Sequence, residues 1–391
     1  MSGNGGRTRR ELLVDAVKAA AAASIGGLVG CSGPGVFPDV GGHWPICQTP
    51  DGGFPDAGAP APVTPAVVEV LRKESVGASD VIQPAVVADM LSAGLTALAN
   101  QVKTFNDGGQ ALVGGPDTGD AGQADSPWKV LLPNYKAGQV IGLKVNCLGP
   151  TATSPALVRA LIASLRDGLG IAPQTAIVVW DRFKYDIDKY GRYSADDLAG
   201  APYRGNLLRG VKTTEREADF TDGNGYGDAP CIAPKGTKGN YPRLSRILTD
   251  QTNLTINLPV LKRHPESGYT GALKNSYGMF DNPAEFHKTV ITTALPELYA
   301  IPAIRNSISL TILDALLGVI TGDNASFHDC APSRLLLAQD PVAMDSYGWD
   351  LLTQLRVAQG YPADDADIPN AWLDYAQKLG LGTRTYSLVK A

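Results

Sequence analysis

Residues 140–146 read V-I-G-L-K-V-N, a mostly apolar run that is typical of a buried β-strand. A helix is predicted to begin at Ser154-Pro155, because serine is a strong N-cap and proline is favoured at the first helical position. Its apolar side repeats at helical spacing and Gly168 fits its C-terminal end; the repeating residues are Leu157, Leu161 and Leu165. Residues 176–180, A-I-V-V-W, predict a second strand. Strand, helix and strand within this distance indicate a βαβ unit with parallel strands.

The same pattern continues in the second half of the chain. Further strands are predicted at residues 254–258, 308–313 and 335–338, and Asp340-Pro341 predicts the start of a helix that runs to about Leu355. Before the first strand, helices are predicted over residues 66–73 and 84–101. The expected fold is therefore α/β, with a largely parallel, Rossmann-like sheet that carries helices on both faces.

Polar residues follow the predicted strands. Asn146, Asp181, Asp314 and Asp340 each stand at the carboxyl end of an apolar run. In open α/β sheets, ligands bind at the edge formed by the carboxyl ends of the strands. We therefore expect the functional site at that edge, although an aspartate before proline, as at position 340, is also a common helix N-cap.

The block over residues 257–282 reads N-L-P-V-L-K-R-H-P-E-S-G-Y-T-G-A-L-K-N-S-Y-G-M-F-D-N. Together with K-V-N at 144–146, L-D-A at 313–315 and Q-D-P-V-A-M-D at 339–345, it resembles the family called domain of unknown function 362. The resemblance runs from about residue 140 to residue 352. Some members of that family carry a ferredoxin-like cysteine cluster, which this chain lacks, so an iron–sulfur cluster is not expected here.

Three lysines form one candidate constellation. Lys144 stands in an otherwise apolar strand, and a buried lysine is rarely left unpaired, so we expect it to face the ligand edge and to pair with a carboxylate or an anionic ligand. Lys262 and Lys274 accompany it as candidate anion-binding or proton-transfer, that is catalytic, groups. The candidate ligand-binding residues beside them are Asn146, Asp181, Gly271 and Asn275. A plain packing role for the small-residue loop at 268–275 is the alternative.

The histidines form a second candidate constellation. The chain has only four histidines, and three of them fall near predicted loops of the second half. They could supply a metal site with a carboxylate from Asp314 or, alternatively, Asp345; the predicted metal set is His264, His287, His328 and Asp314. Because their spacing matches no local ligand motif, ordinary hydrogen-bonded loop or core histidines are the alternative.

The N-terminus predicts export. Adjacent Arg9 and Arg10, a short apolar run and Leu28-Val29-Gly30 before Cys31 are typical of a twin-arginine signal that ends in a lipoprotein-type cysteine. The run of about 12 residues is too short to span a bilayer, and no other segment is expected to do so. The predicted organisation is a signal over residues 1–31, a Gly/Pro/Ala-rich tether over residues 32–63 and an α/β body over residues 64–391.

The net charge and the cysteines limit the classes of binding partner that are expected. The net charge is −5; four basic and two acidic side chains give the signal +2, which leaves −7 for the mature chain and argues against nucleic acid. The cysteines after Cys31 are expected to be able to pair outside the cytoplasm; they are Cys47, Cys147, Cys231 and Cys330. The expected partners are a small anionic ligand, the export machinery and, through the lipid, a bacterial membrane facing the periplasm or the cell surface.

Three functions remain open from the sequence. The first is an extracytoplasmic enzyme that depends on a metal or another cofactor, with possible redox chemistry, because twin-arginine export carries folded proteins and the histidines cluster in the second half. The second is a non-catalytic lipoprotein that binds a small anion through the three lysines. The third is a surface protein whose domain has lost its ancestral chemistry.

Overall fold

A ten-stranded sheet organises the chain in the computed structural model, which describes residues 64–106, 126–207, 225–227, 231, 234, 242–287, 290–323, 325–363 and 370–391. The predicted export signal with Cys31, the tether and Cys47 lie outside these ranges. The strands are β1 Ala66–Leu71, β2 Ile141–Lys144, β3 Ile177–Phe183, β4 Tyr203–Leu207, β5 Leu254–Asn257, β6 Val260–His264, β7 Gly268–Thr270, β8 Ile308–Val319, β9 Arg334–Ala338 and β10 Ser387–Lys390.

The strand order is β10-β1-β9-β8-β5-β2-β3-β4, and β6 joins β8 and β7 beside this path. All neighbours from β8 to β4 are parallel. β9 runs antiparallel to both β8 and β1. The mixed α/β class with a mostly parallel sheet, predicted from the sequence, is confirmed.

Helices cover both faces of the sheet. They are α1 Pro84–Asn106, α2 Pro127–Leu131, α3 Pro155–Leu169, α4 Pro173–Ala176, α5 Lys184–Asp186, α6 Ala195–Leu198, α7 Ala272–Asn275, α8 Ile291–Tyr299, α9 Pro302–Arg305, α10 Pro341–Ala358 and α11 Ala371–Lys378. Short 3₁₀ or π segments lie at Lys73–Ser75, Ala78–Asp80, Ile187–Gly191, Ile247–Gln251, Ser276–Met279 and Pro283–Phe286. One apolar core lies beneath α1 and α3, and a second lies beneath α8, α10 and α11.

The βαβ unit of β2, α3 and β3 forms for the reasons read from the sequence. The Ser154 hydroxyl accepts a hydrogen bond from the backbone N–H of Leu157 at 3.2 Å, and Pro155 occupies the first turn of α3. The helix ends at Gly170, whose φ of 66° is left-handed, two residues beyond the predicted Gly168. Gly168 instead lies inside the helix, where a Cβ would overlap Trp128.

The helix predicted over residues 66–73 is wrong, because this segment is strand β1. Its residues read A-V-V-E-V-L, and β-branched valines favour the extended chain over the helix. Val67, Val68 and Val70 are fully buried. The segment pairs with β9 on one side and with β10 on the other.

Helix α1 has a property that the sequence analysis did not anticipate. Over Pro84–Thr104 it is long and apolar enough to span a membrane by length and composition. In the described structure it packs on β1, β9 and α3, and Val87, Leu91 and Leu95 are buried there. These contacts are those of a core helix, and core helices pass the same test of length and composition.

Candidate functional site

A cavity of about 210 Å³ lies at the carboxyl ends of β2 and β3. β2 lies between β3 and β5 in the sheet, so that the chain continues from β2 to one side with β3 and later returns to the other side with β5. Such a reversal of strand order is a topological switch point, where α/β sheets bind ligands. The volume fits a small molecule, since drug-sized ligands occupy pockets of about 300–1,000 Å³. The polar lining side chains include Lys144, Asn146, Asp181, Thr270, Lys274 and His287, and the charged residues Arg182 and Asp186 line the cavity as well.

Lys144, at the end of β2, is paired inside this cavity. Its Nζ donates hydrogen bonds to Asp181 Oδ1 and to the Val145 carbonyl oxygen, both at 2.8 Å, and the residue is 1 % exposed. The other carboxylate oxygen of Asp181 accepts the backbone N–H of Cys147 at 2.6 Å. The expectation that a buried Lys144 pairs with a carboxylate is confirmed. Since an ammonium has three donors, one remains for a ligand.

A chain of amide side chains lies beside this pair. Asn275 Nδ2 donates to Asn257 Oδ1 at 2.8 Å, and Asn146 Nδ2 donates to Asn275 Oδ1 at 3.1 Å. Lys262 Nζ donates to Asn146 Oδ1 at 3.0 Å and to the Leu148 carbonyl oxygen at 2.9 Å. Lys262 is fully buried, and burial lowers its pKa to about 8. It therefore acts on the cavity through Asn146.

Lys274, on α7, lacks a carboxylate within ion-pairing distance among the described residues. Its Nζ lies 3.0 Å from His287 Nε2 and 3.8 Å from the centroid of the Tyr277 ring. His287 Nδ1 lies 2.7 Å from the Pro283 carbonyl oxygen, which can only accept, so Nδ1 carries the proton and Nε2 accepts from Lys274. Burial lowers the pKa of Lys274 to about 7.

The histidines next to Lys274 are neutral near pH 7. Burial first, and then the Lys274 charge, lower the pKa of His287 to about 4 and that of His264 to about 2. The two rings stack with centroids 5.3 Å apart. His264 Nδ1 accepts the backbone N–H of Glu266 at 3.1 Å and that of Ser267 at 3.2 Å, which orients the ring.

Asp345 of α10 fixes the position of α7. Its carboxylate accepts the backbone N–H groups of Ala272 at 2.5 Å and Leu273 at 2.9 Å, and burial raises its pKa to about 7. Gly271 precedes α7, and a Cβ there would overlap Asp345 and the Tyr269 ring. The glycine is therefore required for space, and its contribution to the site is to let α7 approach α10.

Residues 141–350 match the family described as Domain of unknown function (DUF362). This region spans more than half of the chain. The chain belongs to the domain of unknown function 362 family. Among curated proteins, no relative matches it.

One similar solved structure is a protein from Thermotoga maritima. It shares 12 % sequence identity, the match covers 58 % of this chain and 56 % of that protein, and the TM-score is 0.33. The match thus spans little more than half of the length of the Thermotoga protein. All of the cavity residues named above lie within the family region of this chain.

The family region does not assemble the predicted metal set. His264 and His287 meet, but His328 lies at the surface, where its Nε2 is 3.0 Å from Asp80 Oδ2. Asp314 is occupied elsewhere, since its carboxylate accepts the backbone N–H of Ser154 at 2.8 Å and that of Leu316 at 3.1 Å. Within the described ranges, no three His, Cys, Asp or Glu residues are placed to hold one metal ion. The alternative carboxylate, that of Asp345, accepts hydrogen bonds from the backbone N–H groups at the start of α7.

Two of the predicted strand-end residues also differ from expectation. Asp314 lies inside the long strand β8, where it caps the entry to α3. Asp340 lies at the opposite edge of the sheet, because β9 is antiparallel to its neighbours. There it is the N-cap of α10 and accepts the N–H groups of Val342 and Ala343, both at 2.8 Å. The N-cap alternative for Asp340 is confirmed.

Cavity residues outside the predicted set include Thr270, Tyr277, Pro283 and Ala284. Nothing in their spacing marks them, although Thr270 and Tyr277 stand in the block that carries the family resemblance. The cysteines contribute no ligand cluster. Cys231 is disulfide-bonded, whereas Cys147 and Cys330 are free, and burial raises the pKa of the Cys147 thiol well above its usual range.

Proposed function

We propose that this member of the family is an exported, lipid-anchored protein that binds a small anionic ligand in the cavity at the carboxyl ends of β2 and β3. Lys274 carries the proposal. It is 6 % exposed, lines the cavity and faces a neutral imidazole in place of a carboxylate. Burying an ammonium without a counter-charge is unfavourable, and an anion in the cavity would supply that charge.

Three further groups support an anionic ligand. Lys144 keeps one ammonium donor beyond its two hydrogen bonds. Lys262 adds a third buried ammonium, whose hydrogen bonds go to the neutral oxygen atoms of Asn146 and Leu148. Thr270 lines the cavity and is 4 % exposed, and its hydroxyl has no hydrogen-bond partner in the described structure. Buried polar groups without partners are rare, and a ligand oxygen would satisfy this one.

The other main hypothesis was a metal- or cofactor-dependent enzyme with possible redox chemistry. Its basis in the sequence is the set of three histidines and Asp314, and of these four side chains only His264 and His287 meet. Two lysines and two amides do converge on one cavity, namely Lys144, Lys274, Asn146 and Asn275. The lysine-based hypothesis is therefore the one that the geometry supports.

Thermal unfolding of the body in the presence of small anions tests the proposal. We expect sulfate or oxalate to raise Tm relative to chloride at equal ionic strength, because a ligand that binds only the folded state stabilises it. Lys274→Met should abolish the increase, whereas Lys136→Met, at an exposed position, should retain it. An equal increase in both variants would contradict a site at Lys274.

Export and anchoring are proposed from the N-terminal sequence, and the disulfide at Cys231 supports them because such bonds persist in oxidising compartments. Replacing both Arg9 and Arg10 with lysine should leave the precursor in the cytoplasm. Cys31→Ser should release the exported protein from the membrane fraction into the soluble fraction. Fractionation followed by immunoblotting measures both, and membrane association unchanged by Cys31→Ser would contradict the lipid anchor.

A further inference from the structure

Lys274 combines three features that a nucleophilic amine requires. It lines a cavity large enough for a small molecule, it is shielded from solvent, and no carboxylate pairs with it in the described structure. A lysine becomes nucleophilic when its amine is neutral, and removal from water favours the neutral form. Lys144 in the same cavity differs, because its Nζ forms an ion pair with Asp181 at 2.8 Å.

We propose that Lys274 forms a Schiff base with a small carbonyl compound that carries an anionic group, such as an oxo acid. This inference rests on the proposed anion site and names its substrate class. The carbonyl carbon would face Lys274 Nζ, and the anionic group would face the cation of Lys144. The two lysines thus take different roles in one cavity.

His287 supplies the base that this step needs. Its Nε2 lies 3.0 Å from Lys274 Nζ and is free to accept a proton, because Nδ1 keeps its own proton for the Pro283 carbonyl oxygen. A base within hydrogen-bond reach of the nucleophile, itself oriented by a third group, is the arrangement expected for an activated nucleophile.

The step balances without an oxidant or reductant. Lys274 gives one ammonium proton to His287 Nε2, and the amine lone pair attacks the carbonyl carbon, so that a C–N bond forms while the C=O π electrons move to oxygen. The protonated His287 then returns its proton to that oxygen, which leaves as water with a second proton from nitrogen. The products are a protonated imine and one water molecule, so charge and atoms are conserved.

The groups that face Lys274 determine the pH at which its amine is neutral. His287 and Tyr277 lie in contact with it, and burial lowers its pKa to about 7, with Glu266 acting in the opposite direction at longer range. At pH 7, an exposed lysine with a pKa near 10.4 has about a thousandfold less neutral amine. Lys274 should therefore react before the surface lysines do.

Reductive trapping tests the inference on the purified, folded protein. The protein is incubated with glyoxylate and sodium cyanoborohydride at pH 7, and peptides are mapped by mass spectrometry. We expect N-carboxymethyl-lysine to accumulate at Lys274 at least about tenfold faster than at any exposed lysine, given the difference in neutral amine. Lys274→Arg should remove this adduct, and Lys136→Arg should leave it unchanged. Modification spread over exposed lysines with Lys274 unmodified overturns the inference.

The same samples separate failure of this inference from failure of the proposed function. If Lys274 is unmodified while glyoxylate still raises Tm in wild type and not in Lys274→Met, the covalent step is wrong and the anion site stands. If Lys274 is unmodified and neither glyoxylate nor sulfate raises Tm, both are wrong. Because wild-type protein gives the decisive map, a variant that fails to fold does not weaken the test.

Discussion

Replacing Asp181 with leucine is expected to lower the free energy of unfolding by about 3–5 kcal/mol, because it leaves the Lys144 ammonium buried without its counter-charge. The Lys144 side chain is 1 % exposed and that of Asp181 is 10 % exposed, so solvent does little to screen the loss. The backbone N–H groups of Cys147 and Arg182 would also lose their acceptor. Chemical denaturation at pH 7 measures the change.

A matched surface pair provides the control. Lys184 and Asp188 also form an ion pair, at 3.0 Å, but Asp188 is 46 % exposed. Asp188→Leu should cost less than about 1 kcal/mol, as exposed pairs do. Adding Lys144→Met to Asp181→Leu should recover part of the lost stability, because the second change removes the unpaired charge. Similar costs for Asp181→Leu and Asp188→Leu would contradict a buried, coupled pair at the carboxyl edge of the sheet.

Anion binding is expected to be linked to proton uptake by Lys274. Burial lowers the pKa of this lysine from 10.5 to about 7, so at pH 8 most unliganded molecules hold the neutral amine. A bound anion favours the ammonium and raises its pKa. Affinity for sulfate, whose own charge is constant here, should then fall by up to about tenfold per pH unit above pH 7.

The same shift predicts the pH dependence of the unliganded protein. Between about pH 7 and 10.5 the unfolded chain binds a proton that the folded chain has lost, so Lys274 makes stability rise with pH. Below pH 7 both states bind the proton and its contribution is constant. Lys274→Met should remove this rise and should stabilise the empty protein at pH 7, while it abolishes anion binding. A residue with a purely structural role would lose stability on the same substitution.

The parallel core and the edge at which its strands end could be predicted because their signals are local. Apolar strand segments, the Ser154-Pro155 helix start and short connections determine a βαβ unit, and parallel strands bring their carboxyl ends to one edge. A lysine in an apolar strand likewise indicated a buried partner. Its partner Asp181 stands at the equivalent point of the next strand, so Lys144 and Asp181 meet for a reason visible in the sequence.

The predictions that were wrong concern contacts between segments that are distant in the sequence. An apolar run does not reveal the direction of its strand. The sequence therefore predicts Asp340 at the carboxyl edge of the parallel strands, whereas β9 is antiparallel to β8 and places it at the opposite edge. His328 and His264 are both histidines of the second half of the chain, and the sequence therefore grouped them in one metal site. The tertiary fold instead brings His328 into contact with Asp80. Lys274 and His287 are 13 residues apart, with two short helical segments between them. No spacing rule predicts their contact.

The most direct test of the anion site is calorimetric titration of the folded body with sulfate at pH 8, in two buffers of different ionisation enthalpy. The difference between the two apparent enthalpies gives the number of protons taken up per sulfate bound. If the anion lies beside Lys274, we predict uptake of close to one proton, and its loss in Lys274→Met. Binding without proton uptake, or the same uptake in Lys274→Met, would contradict the account.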